Sequence, residues 1–350
     1  MDVLSDVIAI LRTGRPVSVR LAWRGRWGQR FASVPGAAGV QVILRGQCWL
    51  LPDDAEPAPP APDRLPPALG GAPLTPDRVP ITRGPVPLAP GDVLFAPHGR
   101  GYALAADPGA PIQPCDMGLP PPSTVDSPDG IVLCGAYELD PRQTHPLLRS
   151  LPELIHLPAE LTRSPELRAT VGLLAGELER PPRPGGEALV PALLELLLLY
   201  IMRTRIDEDT GPGWAAALRD PAVGAALHAM HADPAAPWTV ASLARVAGLS
   251  RAPFARRFNA LAGQPPLTYL TWWRMTTAAR LLRESDAPLH AVAARVGYTS
   301  EFAFAAAFKR HVGTAPGRFR RTPPDTAANG RAMEGRTMED RAMEDSTPRA

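Results

Sequence analysis

Apolar positions along this chain change period twice. Near the start they fall at Val3, Leu4, Val7, Ile8 and Leu11, the spacing of a short amphipathic helix. Between residues 17 and 50 the period drops to two. Val17, Val19 and Leu21 alternate with polar residues, Val40-Gln41-Val42-Ile43-Leu44 runs into the turn Arg45-Gly46-Gln47, and Cys48-Trp49-Leu50-Leu51 continues beyond it. Residues 52–90 are dense in proline, which a central strand does not accept, so a long surface loop is predicted there. Strand signals return at 93–95, 102–104 and 131–134. Short strands broken by Gly and Pro predict an antiparallel β-barrel or sandwich.

From Ser164 the period becomes helical. One helix is predicted roughly over 165–179 and a second roughly over 187–206, with the loop 181–186 between them. The second is apolar on nearly every side and must bury two faces. Burial within its own chain and a homodimer interface both meet that requirement. Residues 207–213 read as a linker. In 322–350 a five-residue unit recurs (Arg331-Ala332-Met333-Glu334-Gly335, then 336–340 and 341–345) without an apolar face, which predicts a disordered tail.

Charge adds a contrast between segments. The net charge of the 350 residues is only +2, yet residues 212–321 hold 14 basic and 5 acidic side chains, against 23 and 30 elsewhere. That asymmetry fits one segment meeting a polyanion. The three cysteines, Cys48, Cys115 and Cys134, form no C-x-x-C pair, which argues against a secreted disulfide scaffold. The N-terminus lacks the basic-then-apolar pattern of a signal peptide, and the apolar run 190–202 is too short for a bilayer. A cytoplasmic protein without membrane association is expected.

Function is written in an internal repeat over 238–321. Val240-x2-Leu243-Ala244-x3-Gly248-Leu249-Ser250 returns as Leu289-x2-Val292-Ala293-x3-Gly297-Tyr298-Thr299. Phe254-x3-Phe258-x4-Gly263-x2-Pro266 returns as Phe304-x3-Phe308-x4-Gly313-x2-Pro316, with one extra residue between Gly and first Phe in the second copy. Ala244 and Ala293 suit a close crossing of two helices. Gly248 and Gly297 suit the left-handed conformation that ends a helix, and Ser250 and Ser300 are good N-caps for the next one. Phe residues four apart lay an aromatic stripe on the core side. Each copy therefore reads as a helix-turn-helix. Between them a helix over 267–284 would be about 27 Å long, close to one turn of DNA, about 34 Å.

On these motifs, with Tyr269-Leu270-x3-Arg274-Met275-x2-Ala278-x2-Leu281-Leu282 and the closing 313–320, residues 214–321 resemble the AraC/XylS DNA-binding domain over its whole length. The resemblance implies a transcription regulator bound to double-stranded DNA, with RNA polymerase as a further partner and a homodimer as the working form. It places the first reading face at Arg251, Ala252, Ala255, Arg256 and Asn259, with Arg256 set for guanine and Arg251 and Arg257 for phosphate. In the second copy the face is Ser300, Glu301, Phe302, Ala303, Ala305 and Ala306, with Lys309 and Arg310 on phosphate. Arg274 of the connecting helix is carried over as a further DNA contact. The second face departs from the family's polar pattern in having no Arg, Asn or Gln.

Residues 1–155 resemble, through 44–50, Pro90-Gly91-Asp92, 93–99, 133–135 and 145–152, the cupin-type sensor domain of a subgroup of these regulators. The implied architecture is multi-domain α+β: an antiparallel cupin-like barrel (1–155), a helical connector able to dimerise (156–210), an all-α double helix-turn-helix (214–321) and the tail (322–350). Catalytic cupins hold a metal through His and carboxylate side chains. Here Gln41 and Tyr102 stand near two such positions and His98 lies in an exposed turn, so neither metal nor cofactor is expected and no catalytic residue is assigned. The competing reading is a metal-dependent cupin enzyme fused to a DNA-binding domain. The effector is open between an oxidant, sensed by Cys48 and Cys134 brought together in the barrel, and a small molecule walled by Trp49 and Tyr102. Cysteine-based oxidant sensing is a theme of the subgroup, while free Cys is more often a buried small hydrophobe.

Overall fold

The computed structural model describes residues 3–11, 16–34, 36–52, 84–114, 127–138, 145–159, 164–179 and 183–322. Most of the proline-rich segment, Cys115 and all but the first residue of the tail lie outside them. The described residues divide into two compact units: those up to His228 together with Val240–Pro266, and Ala229–Thr239 together with the residues from Leu267 on.

The first unit starts with α1 (Val3–Leu11) and continues into two five-stranded sheets. One orders β1 (Val17–Trp23), β9 (Gly130–Glu138), β3 (Ala37–Arg45), β6 (Val93–Ala96) and β10 (Ile155–Leu157). The other orders β5 (Val86–Leu88), β4 (Cys48–Pro52), β7 (Tyr102–Ala105), β2 (Gly28–Phe31) and β8 (Gln113–Pro114). Every pair is antiparallel except β2–β8. Among the described residues the strands make two separate ladders, so the closed barrel expected from the sequence is not formed by them. Alternation along each strand sends one set of side chains inward. Leu21, Ile43, Leu94, Val132 and Cys134 from the first sheet meet Phe31, Cys48, Leu50, Tyr102 and Leu104 from the second in one core.

Several elements escaped the sequence pattern. β5 contains Pro87 and β8 contains Pro114, and both lie at the edges of their sheet, where a missing N–H costs no ladder bond. β10 has only three residues. It is clipped to the turn before β6 by Asp92, whose carboxylate lies 2.8 Å from His156 Nε2 and accepts from Ala159 N–H at 2.7 Å.

α2 (Pro146–Arg149), α3 (Pro165–Leu178) and α4 (Gly186–Glu208) follow, the latter two close to the bounds expected. α4 buries Leu194, Leu197, Leu198, Ile201 and Met202 inside its own chain, and Tyr137 of β9 donates to Leu194 O at 2.7 Å. Leu189 of α4 and Leu173 of α3 stay exposed. The unit is completed by α5 (Trp214–Arg219), most of α6 (Pro221–Ala232), α7 (Val240–Val246) and α8 (Arg251–Ala262).

The second unit holds α9 (Pro266–Glu284), α10 (Leu289–Arg295), α11 (Glu301–Val312) and α12 (Pro316–Arg321), around a core of Met275, Leu282, Val292, Phe304, Phe308 and Phe319. His231 stacks on Trp273 with centroids 3.7 Å apart and lies 2.7 Å from the Tyr269 hydroxyl. No helix among the described residues is long and apolar enough to cross a membrane.

Candidate nucleic-acid interface

α7 and α8 form the first helix-turn-helix. Ala244 is buried as expected, and Gly248 makes the turn at φ +66°. Ser250 sits at the N-cap with extended backbone but makes no capping bond through its side chain, and Gly263 ends α8 in the left-handed conformation. Phe254 and Phe258 are fully buried, their rings 5.8 Å apart. A helix pinned on that stripe turns its other side to solvent. Arg251, Ala252, Arg256 and Asn259 are exposed there and Ala255 is half-buried.

Arg257 is exposed and paired with Asp220. Its Nε donates to Asp220 Oδ2 at 2.7 Å and its Nη2 bonds the same oxygen. The other carboxylate oxygen caps α6, accepting from Ala222 N–H at 3.1 Å and Val223 N–H at 2.9 Å. Burial opposes ionisation of Asp220. The hydrogen bonds from Arg257 and Val223 N–H outweigh it and hold the carboxyl below the usual carboxylate range. The Arg257 guanidinium thus ties α8 to the α5–α6 junction.

α10 and α11 repeat the arrangement in the second unit. Ser300 caps α11, its hydroxyl accepting from Ala303 N–H at 3.3 Å. Phe304 and Phe308 are buried with rings 5.7 Å apart, and Phe319 of α12 meets Phe308 edge-on at 5.4 Å. The outward face carries Glu301, Phe302, Ala303, Ala306, Lys309 and Arg310, all exposed, with Ala305 half-buried. Phe302 is 89% exposed.

Arg274 makes its hydrogen bonds within its own unit. It is partly buried on α9, where Nε donates to Pro234 O at 2.7 Å and Nη2 to Ala236 O at 2.8 Å. It holds the 233–236 turn rather than facing outward. Gly297 packs against the same group: a Cβ there would lie 2.8 Å from both Ala235 O and Arg274 Nη2.

The sequence reading missed the pairing of His145 with Trp214. His145 caps α2, its Nδ1 accepting from Leu147 N–H at 2.9 Å, and its ring meets Trp214 of α5 edge-on with centroids 4.8 Å apart. His145 is 1% and Trp214 5% exposed. α5 packs in turn against α4 and α8. His145-Pro146 and Asp220-Pro221 both carry the signal of a capping residue followed by proline at the first helical position, which could have revealed them.

Between the sheets, Cys48 and Cys134 are buried thiols. Burial, and then the charge of Asp92, pushes the Cys48 thiol up to about 12. Gln41 is 3% exposed in register with Leu94 and Cys134, and its Oε1 has no hydrogen-bond partner among the described residues. Tyr102 points into the same core, whereas Trp49 alternates to the other side of β4 from Cys48 and Leu50, away from the wall assigned to it. His98 is half-buried, with Nε2 at 3.0 Å from Leu151 O. Among the described residues no group of three or more His, Cys, Asp or Glu could hold a metal ion.

Comparison with known proteins agrees with this arrangement. A cupin family model matches residues 2–62 and 70–207, and a helix-turn-helix domain model matches 243–322. An AraC-like transcription regulator of Streptomyces lividans is 33% identical over 333 residues, covering 92% of this chain and 99% of its own. One of Streptomyces antibioticus is 32% identical over the same shares. The HTH-type transcriptional regulator AlkR of Acinetobacter baylyi is 35% identical over 201 residues, 57% of this chain and 65% of its own. With two helix-turn-helix units behind a cupin-like domain, and relatives matched end to end, the chain belongs to the AraC family of DNA-binding transcription regulators.

Proposed function

We propose that residues 1–155 sense a signal and govern, through the connector 156–210, how residues 214–321 engage DNA. The observation that carries this is the packing of His145 on Trp214. His145 caps the last helix of the sensor segment, Trp214 opens the first helix of the DNA-binding segment, and α5 leads through Asp220 to Arg257 on the recognition helix α8. A shift of α2 is thereby felt at α8. Packed interfaces of this kind switch between discrete arrangements rather than deform smoothly. The test is a promoter reporter with His145→Ala. The response to signal is lost while the purified full chain still binds its site. A normal response in that variant defeats the proposal.

Within the interface, Arg256 is assigned to guanine and Arg251, Lys309 and Arg310 to phosphate, because all four are exposed on the outward faces of α8 and α11. Recruitment of RNA polymerase, a homodimer using the exposed Leu173 and Leu189, and a cytoplasmic location complete the reading. The domain is assigned binding rather than catalysis, since Gln41 and Tyr102 stand near the positions where a metal-dependent cupin would carry ligands. For the effector, a small molecule bearing a hydrogen-bond donor is favoured over an oxidant. Gln41 Oε1 offers a buried acceptor, whereas the Cys48 thiol is held in its unreactive form.

A further inference from the structure

The two repeats diverge where their outward faces carry a long side chain. Aligned on the buried phenylalanines, Ala252 of α8 corresponds to Phe302 of α11, and Arg256 to Ala306. In α8 a small residue precedes the long one by a turn, and in α11 the order is reversed. Phe302, Ala306 and Arg310 follow at intervals of four, so they form one stripe opposite Phe304 and Phe308. A phenyl ring left 89% exposed forgoes the stabilisation that burial gives an aromatic side chain, so the fold itself gains nothing from it.

The surroundings narrow what covers the ring. Lys309 and Arg310, both exposed, end the same stripe, and α12 of this unit adds exposed Arg318 and Arg321. Such a surface is complementary to a polyanion. At the other end of α11 stand Glu301 and Phe302. A carboxylate repels phosphate, and a phenyl ring offers it no donor, so this turn is suited to base edges and the cationic turn to the backbone. Phe302, Ala303 and Ala306 have no side-chain donor or acceptor, so hydrogen-bond readout is closed to them. One apolar mark remains in the major groove, the 5-methyl group of thymine.

We propose that Phe302 is a specificity residue that reads a thymine methyl in the major groove, with the small Ala306 leaving room for the base edge. This rests on α11 being a DNA-reading helix. The first unit then discriminates by hydrogen bonds through Arg256, and the second by apolar contact.

The test uses the full chain and a duplex selected by it from a random pool. Each thymine is replaced singly by deoxyuridine, which removes one methyl and nothing else. Wild type loses about fourfold in affinity at the position facing Phe302, the equivalent of one buried methyl. Phe302→Ala binds the thymine duplex with the same loss, is indifferent to deoxyuridine there, and keeps the salt dependence of wild type. The ring is exposed, so an unchanged melting temperature is expected and verifies folding. The proposal is overturned if wild type is indifferent at every thymine, or if Phe302→Ala keeps the thymine preference. A variant with wild-type binding that fails to activate transcription also overturns it and gives the ring to a protein partner. Failure to retain any duplex from the pool would instead remove DNA binding by the chain, and with it the reading on which this proposal rests.

Discussion

His145 and Trp214 meet edge-to-face, 4.8 Å between ring centroids and 72° between planes, and both are buried. The contact joins α2, through its N-cap, to α5. Aromatic pairs in this geometry are worth about 0.5–1.5 kcal/mol beyond burial. A double-mutant cycle of His145→Ala and Trp214→Phe, followed by denaturant unfolding, should therefore show coupling in that range. Additive losses would mean that the rings are neighbours without interaction.

The two turn glycines should differ in how far they tolerate a side chain. Both have left-handed backbones, φ +66° at Gly248 and +80° at Gly297, a conformation costing an L-residue about 1–2 kcal/mol. Around Gly248 a Cβ would meet nothing within 4 Å, while at Gly297 it would press on a carbonyl and on Arg274 at 2.8 Å. Gly297→Ala should thus lower stability more than Gly248→Ala in thermal unfolding. Equal losses would show that the Arg274 contact yields freely.

Asp220 predicts an acid limb. Its folded carboxyl titrates below the unfolded value of about 3.9, so its contribution is complete above that value and fades as pH falls through the folded one. Asp220→Ala also removes the α6 cap and should cost about 1–2 kcal/mol at pH 7. Asp220→Asn keeps a capping side chain but should flatten the stability profile below about pH 4. A profile as steep as wild type would assign the acid limb to other carboxyls.

Much of this arrangement was legible in the sequence because it depends on short-range pattern. The repeats around Phe254/Phe258 and Phe304/Phe308 are local, and their glycines and alanines occupy the places the pattern requires. The strands β1, β3, β4, β6, β7 and β9 were readable for the same reason. Edge strands β5 and β8 were not, since edge position is a tertiary fact that licenses Pro87 and Pro114. The partners of Arg257 and Arg274 were hidden for a related reason. Sequence shows an arginine on a helix, but only folding brings Asp220 or the Pro234 and Ala236 carbonyls to it.

Thiol chemistry offers a prediction about the signal. Cys48 is buried with its thiol pushed up to about 12, so native protein at roughly pH 7.5 should react with a thiol reagent far more slowly than unfolded protein. The double variant Cys48→Ser, Cys134→Ser should keep a normal cellular response. Rapid labelling of the native protein, with loss of response in the variant, would return the oxidant reading.

Sequence-specific DNA binding through α8 should show in the affinity of the full chain for its selected duplex across a range of salt. Binding should fall steeply and linearly in log–log form as arginines displace counterions from phosphate. Arg256→Ala should cost about 1–3 kcal/mol on that duplex, with relaxed base preference and an unaltered salt slope. Binding that ignores salt would rule out phosphate contact by these arginines, and an Arg256→Ala protein with wild-type affinity and preference would rule out base reading through α8.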